Sequence, residues 1–418
     1  MQISFSTGLS GLNAASTAIN VIGNDLANLN TTGYKASELG FADLMSQHLG
    51  GSAANGDLGL GVGQATVNRV YTQGAIQATG GSTNGAIQGN GFFMTKDSQG
   101  TTFYTRDGSF TVSAAGQLQN TAGHSVQGWS AGANGVLDTS GPTGNLSVPI
   151  GATVGGTPTS TMSMSLNLNA TPSGTSTPAS FSTPVQAVDS LGAIHTLTAK
   201  FTNTAVNTWT YSVTIPTAEV STAGAATVGT GTLVFNASGQ LSSPAATAVP
   251  SLEVKGLVNG ATDMAIAWNL YDPATAASNI TQFTQASAVS QIVQNGFPAG
   301  NISSVSLQDG GLLMASCSNG QQLTVGKLAV ATVNNPTSLH AVGGNELVAT
   351  ALTGTPVVGQ SGTGSAGTVL AGSLEKSTVD IAAAFTSLLT FQRSYQANSR
   401  AITTDDQILQ ETIQLIHA

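Results

Sequence analysis

The chain has 418 residues, length enough for two to four domains, yet only 7% of them are Lys, Arg, Asp or Glu, against about 25% in an ordinary soluble protein. Hydrophobic residues reach 40%, so the low charge is not that of a disordered chain and a core can form. Ten scattered Lys and Arg in a chain of net charge −9 argue against a nucleic-acid partner, because phosphate recognition needs clustered cations.

From Phe5 to Asn30 there is no proline, and apolar residues return every seven positions. Phe5, Leu12, Ile19 and Leu26 form one row; Ala15, Ile22 and Leu29 form a second, three residues on. Such an a/d seam predicts an amphipathic helix that packs on another helix. Downstream, the run Gly59, Gly61 and Gly63 has Gln64 where a dinucleotide fingerprint needs its third glycine, and no Lys-Ser/Thr of a phosphate loop follows. They predict a flexible or tightly packed crossing.

Residues from about 60 to 358 read as strand and turn. Met162, Met164, Leu166 and Leu168 alternate with Ser and Asn, as do Trp209, Tyr211, Val213 and Ile215 with Ser and Thr. Period-two patterns predict half-buried strands, and the Gly, Pro, Asn and Asp signals between them predict more than one antiparallel β domain. Asp189-Ser190-Leu191-Gly192 reads as a turn before a strand from Ile194 to Phe201, and Gly354 to Gly367 as a linker.

The heptad pattern then returns, more strongly. Leu374, Ile381, Leu388, Tyr395, Ile402, Leu409 and Ile416 fall seven apart, reinforced by Phe385, Phe391 and Ile413. Ser377 or Thr378 is the predicted cap, with Asp380 in the first turn. The two helices lie more than 300 residues apart, and the simplest partner for each seam is the other. Their remaining faces carry Ser, Thr, Ala, Asn and Gln rather than Lys and Glu. Burial on several sides, by other copies of the chain, suits such faces.

The predicted fold is therefore mainly β with helical termini paired as a coiled-coil-like inner domain, plus two β-rich, barrel- or sandwich-like domains. Residues 1–30 and 370–418 form the helical domain, 31–71 and 354–369 linkers, 72–147 and 298–353 a middle β domain, and 148–297 an outer β domain.

No constellation for catalysis emerges. The five histidines are dispersed, Asp189 and His195 lack a serine elbow, and Asp405-Asp406 point about 100° apart on a helix. Neither a metal nor a cofactor is expected, and no enzyme. Cys317, alone in an apolar stretch, cannot form an intramolecular disulfide and reads as an inert core residue. No run of about 18 apolar residues predicts membrane insertion. The first basic residue is Lys35, so no cleaved signal peptide is expected.

Gly8-Leu9-Ser10-Gly11-Leu12-Asn13-Ala14-Ala15 and Ile22-Gly23-Asn24-Asp25-Leu26-Ala27-Asn28-Leu29-Asn30-Thr31-Thr32-Gly33-Tyr34-Lys35 resemble the rod and hook family of the bacterial flagellum. So do Gly89-Asn90-Gly91-Phe92-Phe93, Thr105-Arg106-Asp107-Gly108-Ser109-Phe110, Leu374-Glu375-Lys376-Ser377-Thr378-Val379-Asp380, Gln392-Arg393-Ser394-Tyr395-Gln396-Ala397-Asn398 and Thr403-Thr404-Asp405-Asp406. The resemblance spans about two thirds of the chain and is weakest across 215–300. Cys317 stands where an aromatic is common and Thr378 where Asn is usual. Rod members are similar at the ends but shorter; Val188-Asp189-Ser190-Leu191-Gly192 with Trp209 resembles the outer domain of the hook branch.

The resemblance implies a structural subunit of the flagellar basal body and hook, outside the cell, with a distal rod subunit as the alternative and a secreted adhesin or hydrolase as the rival of a different class. It implies export unfolded through the flagellar type III apparatus, with Phe5 and Leu9 in a short export signal. It further implies polymerisation with copies of itself into a flexible curved tube, a universal joint. Its partners would be the distal rod, hook cap and hook–filament junction proteins.

Overall fold

The computed structural model describes residues 2–44, 47–48, 57–58, 60–132, 135–171, 179–221 and 224–417. The chain divides into two compact units. Unit 1 comprises Met1–Pro149, Val305–Ala315 and Leu323–Ala418; unit 2 comprises Ile150–Ser304 and Ser316–Gln322.

Unit 1 holds both helices, α1 (Gln2–Ala27) and α2 (Ile381–His417), packed against each other. Helix α1 ends three residues short of the predicted Asn30. Asn28 N donates to both Asn24 O and Asp25 O, and Leu29 N falls back on Leu26 O at 3.3 Å, a tightened last turn. Leu29 thus stands beyond the helix. Helix α2 starts at Ile381, two to three residues later than a cap at Ser377 or Thr378 predicts, because Asp380 is its cap. Asp380 Oδ1 accepts from Ala382 N at 2.8 Å and Ala383 N at 3.1 Å, worth about 1 kcal/mol. Thr378 Oγ1 accepts from Ala36 N instead. Leu374, predicted on the helical seam, lies on the strand Ser373–Glu375, which pairs with Ile76–Ala78 after the positive φ of Gly372.

The β part of unit 1 is an antiparallel sheet. Gln322–Thr332 pairs with Ser125–Ser130 and with Phe92–Lys96; beyond these come Thr102–Thr105, Glu346–Val348 and His340–Gly343. Phe92, Met94, Tyr104, Trp129, Ala329, Ala331, Leu339 and Leu347 form one of its cores. On the other side Phe93 meets Phe110 edge-on, with ring centroids 5.0 Å apart. The segment predicted as a linker after Gly354 is not one. Val357–Gln360 extends this sheet along Gln322–Thr332, and Thr368–Ala371 pairs with Gly85–Gln88. The predicted linker 31–71 likewise carries the paired strands Ser37–Gly40 and Thr66–Arg69. Gly61 is the tight crossing; there is no room for a Cβ beside Ser10 of α1. Gly59 lies outside the described residues.

Among the described residues, two five-stranded sheets of unit 2 enclose one core of Trp209, Trp268, Phe201, Met164, Leu197 and their neighbours. One sheet runs Ser180–Val188, Ile194–Ala205, Thr208–Thr214, Thr227–Phe235, Leu241–Ser243, all antiparallel. In the other, Thr161–Asn169 buries every second residue as its alternation predicts. That strand departs from the purely antiparallel expectation, pairing parallel with Met264–Asn269 and Ile280–Phe283. Parallel neighbours need a long crossover, and the antiparallel sheet between residues 180 and 243 is that crossover.

Candidate assembly surface

The face that joins the helices is made of small residues. On α1, Gly8, Ala15, Ala18 and Ile22 are buried. A Cβ at Gly8 would stand 3.1 Å from Ile402 Cγ1 of α2, and one at Gly11 2.7 Å from Asn398 Nδ2. Glycine here permits close approach of the two backbones. Of the predicted seam residues, Ile22 is buried, and Leu12, Ile19 and Leu26 on α1 with Leu388 and Ile402 on α2 are half-buried. The heptad rows did not single out Gly8, Gly11 and Ala18, because small residues carry no hydrophobic signal; close contact is the property that selects them.

Much of the predicted seam is uncovered. Phe5, Ile381, Tyr395 and Leu409 are exposed, as are Leu9, Phe385, Leu389, Ile408 and Ile413. The side chain of Ile416 lies outside the described residues. Ile381, Phe385 and Leu389 recur at intervals of four and so make one stripe along α2. Around it stand Thr386 and Thr390, whose hydroxyls donate back to Ala382 O and Thr386 O. A long helix with apolar residues on its outward side and no charged residue before Arg393 has, along that part, a face that water does not favour.

Where the chain leaves α1 and re-enters α2, three distant segments meet. Lys35 Nζ lies 2.6 Å from Glu375 Oε1, and Arg106 Nη1 3.3 Å from Glu375 Oε2, with all three side chains buried. Lys35 Nζ also donates to Thr72 O, Arg106 Nη2 donates to Gly89 O, and Glu375 Oε1 accepts from Gly74 N. Burial pulls the Lys35 ammonium and the Arg106 guanidinium below their ordinary values, while Glu375 pulls each back up. Next to this group, Tyr34 Oη donates to Asp25 Oδ1 at 2.8 Å; burial, then that bond, pushes the phenol up to about 12.

Unit 2 holds its own buried polar cluster. Asp189 makes the predicted turn, accepting from Leu191 N and Ala193 N. His195 Nε2 stands 3.0 Å from Asp189 Oδ2 and Nδ1 2.6 Å from Glu219 Oε2. Both ring nitrogens thus face carboxylates, and neither is left to take a proton from a hydroxyl; Ser190 Oγ accepts from Thr262 N. The arrangement is a clamp between turns, not a nucleophilic triad. Burial lowers the His195 pKa, but the bonds to Asp189 and Glu219 win and leave it raised. Glu219 and Asn259, whose Nδ2 donates to Asp189 Oδ2, were not found from the sequence, being 24 and 64 residues from His195. Cys317 is buried and unpaired.

Comparison with known proteins places names beside these features. Residues 5–35 match the family of flagella basal body rod proteins, 86–163 the D1 domain of flagellar hook proteins FlgE/F/G, 157–297 the flagellar basal body protein FlaE D2 domain, and 370–415 the C-terminal domain of flagellar basal body rod FlgEFG proteins. The flagellar hook protein FlgE of Treponema pallidum is 32% identical over 99% of this chain and 100% of its own length. That of Escherichia coli is 33% identical, again over 99% and 100%. Among solved structures, flagellar hook protein FlgE2 of Helicobacter pylori covers 70% of this chain and 99% of its own, at 15% identity and a TM-score of 0.49.

Proposed function

Because the chain belongs to the flagellar hook protein family, a structural family and not a class of enzyme, we propose that it polymerises into the flexible, curved tube joining rod to filament and passes motor torque along it. The uncovered apolar stripe on the paired terminal helices is the observation that carries this reading. Identical surfaces that are not self-complementary give an open helical polymer. In that polymer the terminal helices, with the seam residues Phe5, Leu12, Ile19, Ile22, Leu26, Leu388, Tyr395, Ile402 and Leu409, form the inner tube, and the β parts form the outer layers.

A chain displayed outside the cell and carrying a single cysteine fits delivery unfolded through the flagellar type III apparatus, Phe5 and Leu9 contributing to the export signal. Distal rod, hook cap and hook–filament junction proteins are the partners at its two ends. Bending requires interfaces that slide, and neutral polar surfaces with bridging water exchange partners at lower cost than fixed buried ion pairs.

The test is electron microscopy of the purified chain with and without residues 1–30 and 370–418. Tubes are expected from the full chain and monomers from the truncated one; tubes from the truncated chain would overturn the role given to the helices.

A further inference from the structure

We propose that Glu375 is a positioning residue for assembly, fixing the direction in which the terminal helices leave the β layer of unit 1 through a charge lock with Lys35 and Arg106. The inference rests on the polymer reading above. Lys35 follows the end of α1 by eight residues, Glu375 precedes α2 by six, and Arg106 follows the β strand Thr102–Thr105. One carboxylate therefore binds the exit of one helix, the entry of the other and the sheet between them.

The backbone reinforces this junction. Gly33 N donates to Glu375 O at 2.7 Å, Thr378 N to Tyr34 O at 3.1 Å, and Ala36 N to Thr378 Oγ1 at 2.9 Å. Gly33 has φ +68°, and a Cβ on it would stand 2.7 Å from the carbonyl carbon of Arg106. The third segment is thus pressed against the first two, with no slack between them. The guanidinium also lies over the Phe92 ring, 5.3 Å from its centroid.

Two cations share one anion, and further donors go to the carbonyls of Thr72, Ile87 and Gly89, while Arg106 Nε is buried without a hydrogen-bond partner among the described residues. Turning the helices against the sheet would separate buried charges from their partners, which a low-dielectric site resists strongly. The lock therefore allows one direction, rather than a range. In a helical polymer, a small change in that direction is repeated at every subunit and appears as altered twist.

The test uses the full chain and three variants. Glu375→Gln keeps shape and one acceptor but removes the charge; Lys35→Met removes a partner; Lys35→Arg keeps it. In Glu375→Gln and Lys35→Met, hydrogen exchange at the amides of Gly33, Ala36 and Thr378 should accelerate by at least about tenfold, while amides of Phe92–Lys96 keep their protection. Tubes should be lost or change helical twist in electron micrographs, with Lys35→Arg close to the unaltered chain in both readouts. Wild-type twist from Glu375→Gln, or unchanged exchange at the junction, would overturn the proposal. So would loss of the β fold in both Glu375→Gln and Lys35→Met, which would assign the lock to folding alone. If the unaltered chain makes no tubes, the polymer reading itself fails, a result distinct from any of these.

Discussion

The stripe Ile381, Phe385 and Leu389 allows a quantitative check on the assembly surface. These side chains are 47%, 54% and 55% exposed, so their replacement by Gln removes little that holds the single chain together. Gln has a helix propensity close to that of Leu, and surface changes of this kind stay within about 0.5 kcal/mol each. Complete burial of such a side chain is worth about 1.5–3 kcal/mol. The uncovered half of each is therefore worth about 0.7–1.6 kcal/mol, and the three together about 2–5 kcal/mol. At about 1.4 kcal/mol per decade, the critical concentration for tube formation should rise roughly 30- to 3,000-fold in the triple variant. Sedimentation of polymer against total protein measures it, with thermal melting of the monomer as control. A triple variant that melts like the unaltered chain and polymerises within about threefold of its critical concentration would refute the claim that neighbouring copies cover this stripe.

A charge in the helix contact tests a different layer. Ile402→Asp sets a carboxylate beside Gly8 and should weaken helix pairing by about 1–3 kcal/mol; helical circular dichroism falls and tubes are lost, while the near-ultraviolet signal of Trp209 and Trp268 in unit 2 persists. The His195 clamp makes the stability of unit 2 depend on pH. Its raised pKa gives stability that is complete below the ordinary imidazole value and fades as pH rises through the folded one. Asp189 works in the opposite direction: burial raises its pKa, but the His195, Asn259 and backbone bonds hold it lowered. Its contribution is present above the ordinary carboxylate value and is lost as pH falls through the depressed one. Unit 2 should therefore melt highest between about pH 4 and 6.5, and His195→Gln should flatten the alkaline side of that profile; an unchanged slope between the two proteins would contradict the clamp.

The elements that sequence made legible are those whose signal is local. The alternation of Met162, Met164, Leu166 and Leu168 with polar residues belongs to a single strand, and all four are buried. The heptads of both ends are local too, and they located both helices. They failed at the margins, at Leu29 and Leu374, because an apolar residue at the right interval does not show whether its backbone bonds go to the helix or elsewhere. Glu375 decides the second case. A buried ion held by Lys35 and Arg106 binds residues 373–375 to the sheet, and the helix must wait for Asp380. Lys35, Arg106 and Glu375 each fell within a family-like motif, and each is a rare charge in a chain with few. Those two facts together could have marked them. Their meeting could not be read, since Lys35 and Glu375 are 340 residues apart.

That separation also orders the events of folding. The length-dependent part of closing a flexible loop of 340 residues costs about 5 kcal/mol, more than one buried ion pair returns after desolvation. The pairings that join the two halves of the chain are, however, nested. Thr153 pairs with Asn301, Phe93 with Val330, Ile87 with Val369, Gln77 with Leu374, and last Gly33 with Glu375. Once one rung is made, the next closes a loop of tens of residues, at about 2–4 kcal/mol. The sheet rungs bury Phe93, Val330, Ile87 and Val369 as they form, whereas the helices beyond the last rung bury mainly alanine and glycine against each other. Helix pairing therefore comes at the outer end of the ladder, where the single chain gains least from it and the exposed stripe leaves most to be gained from another copy.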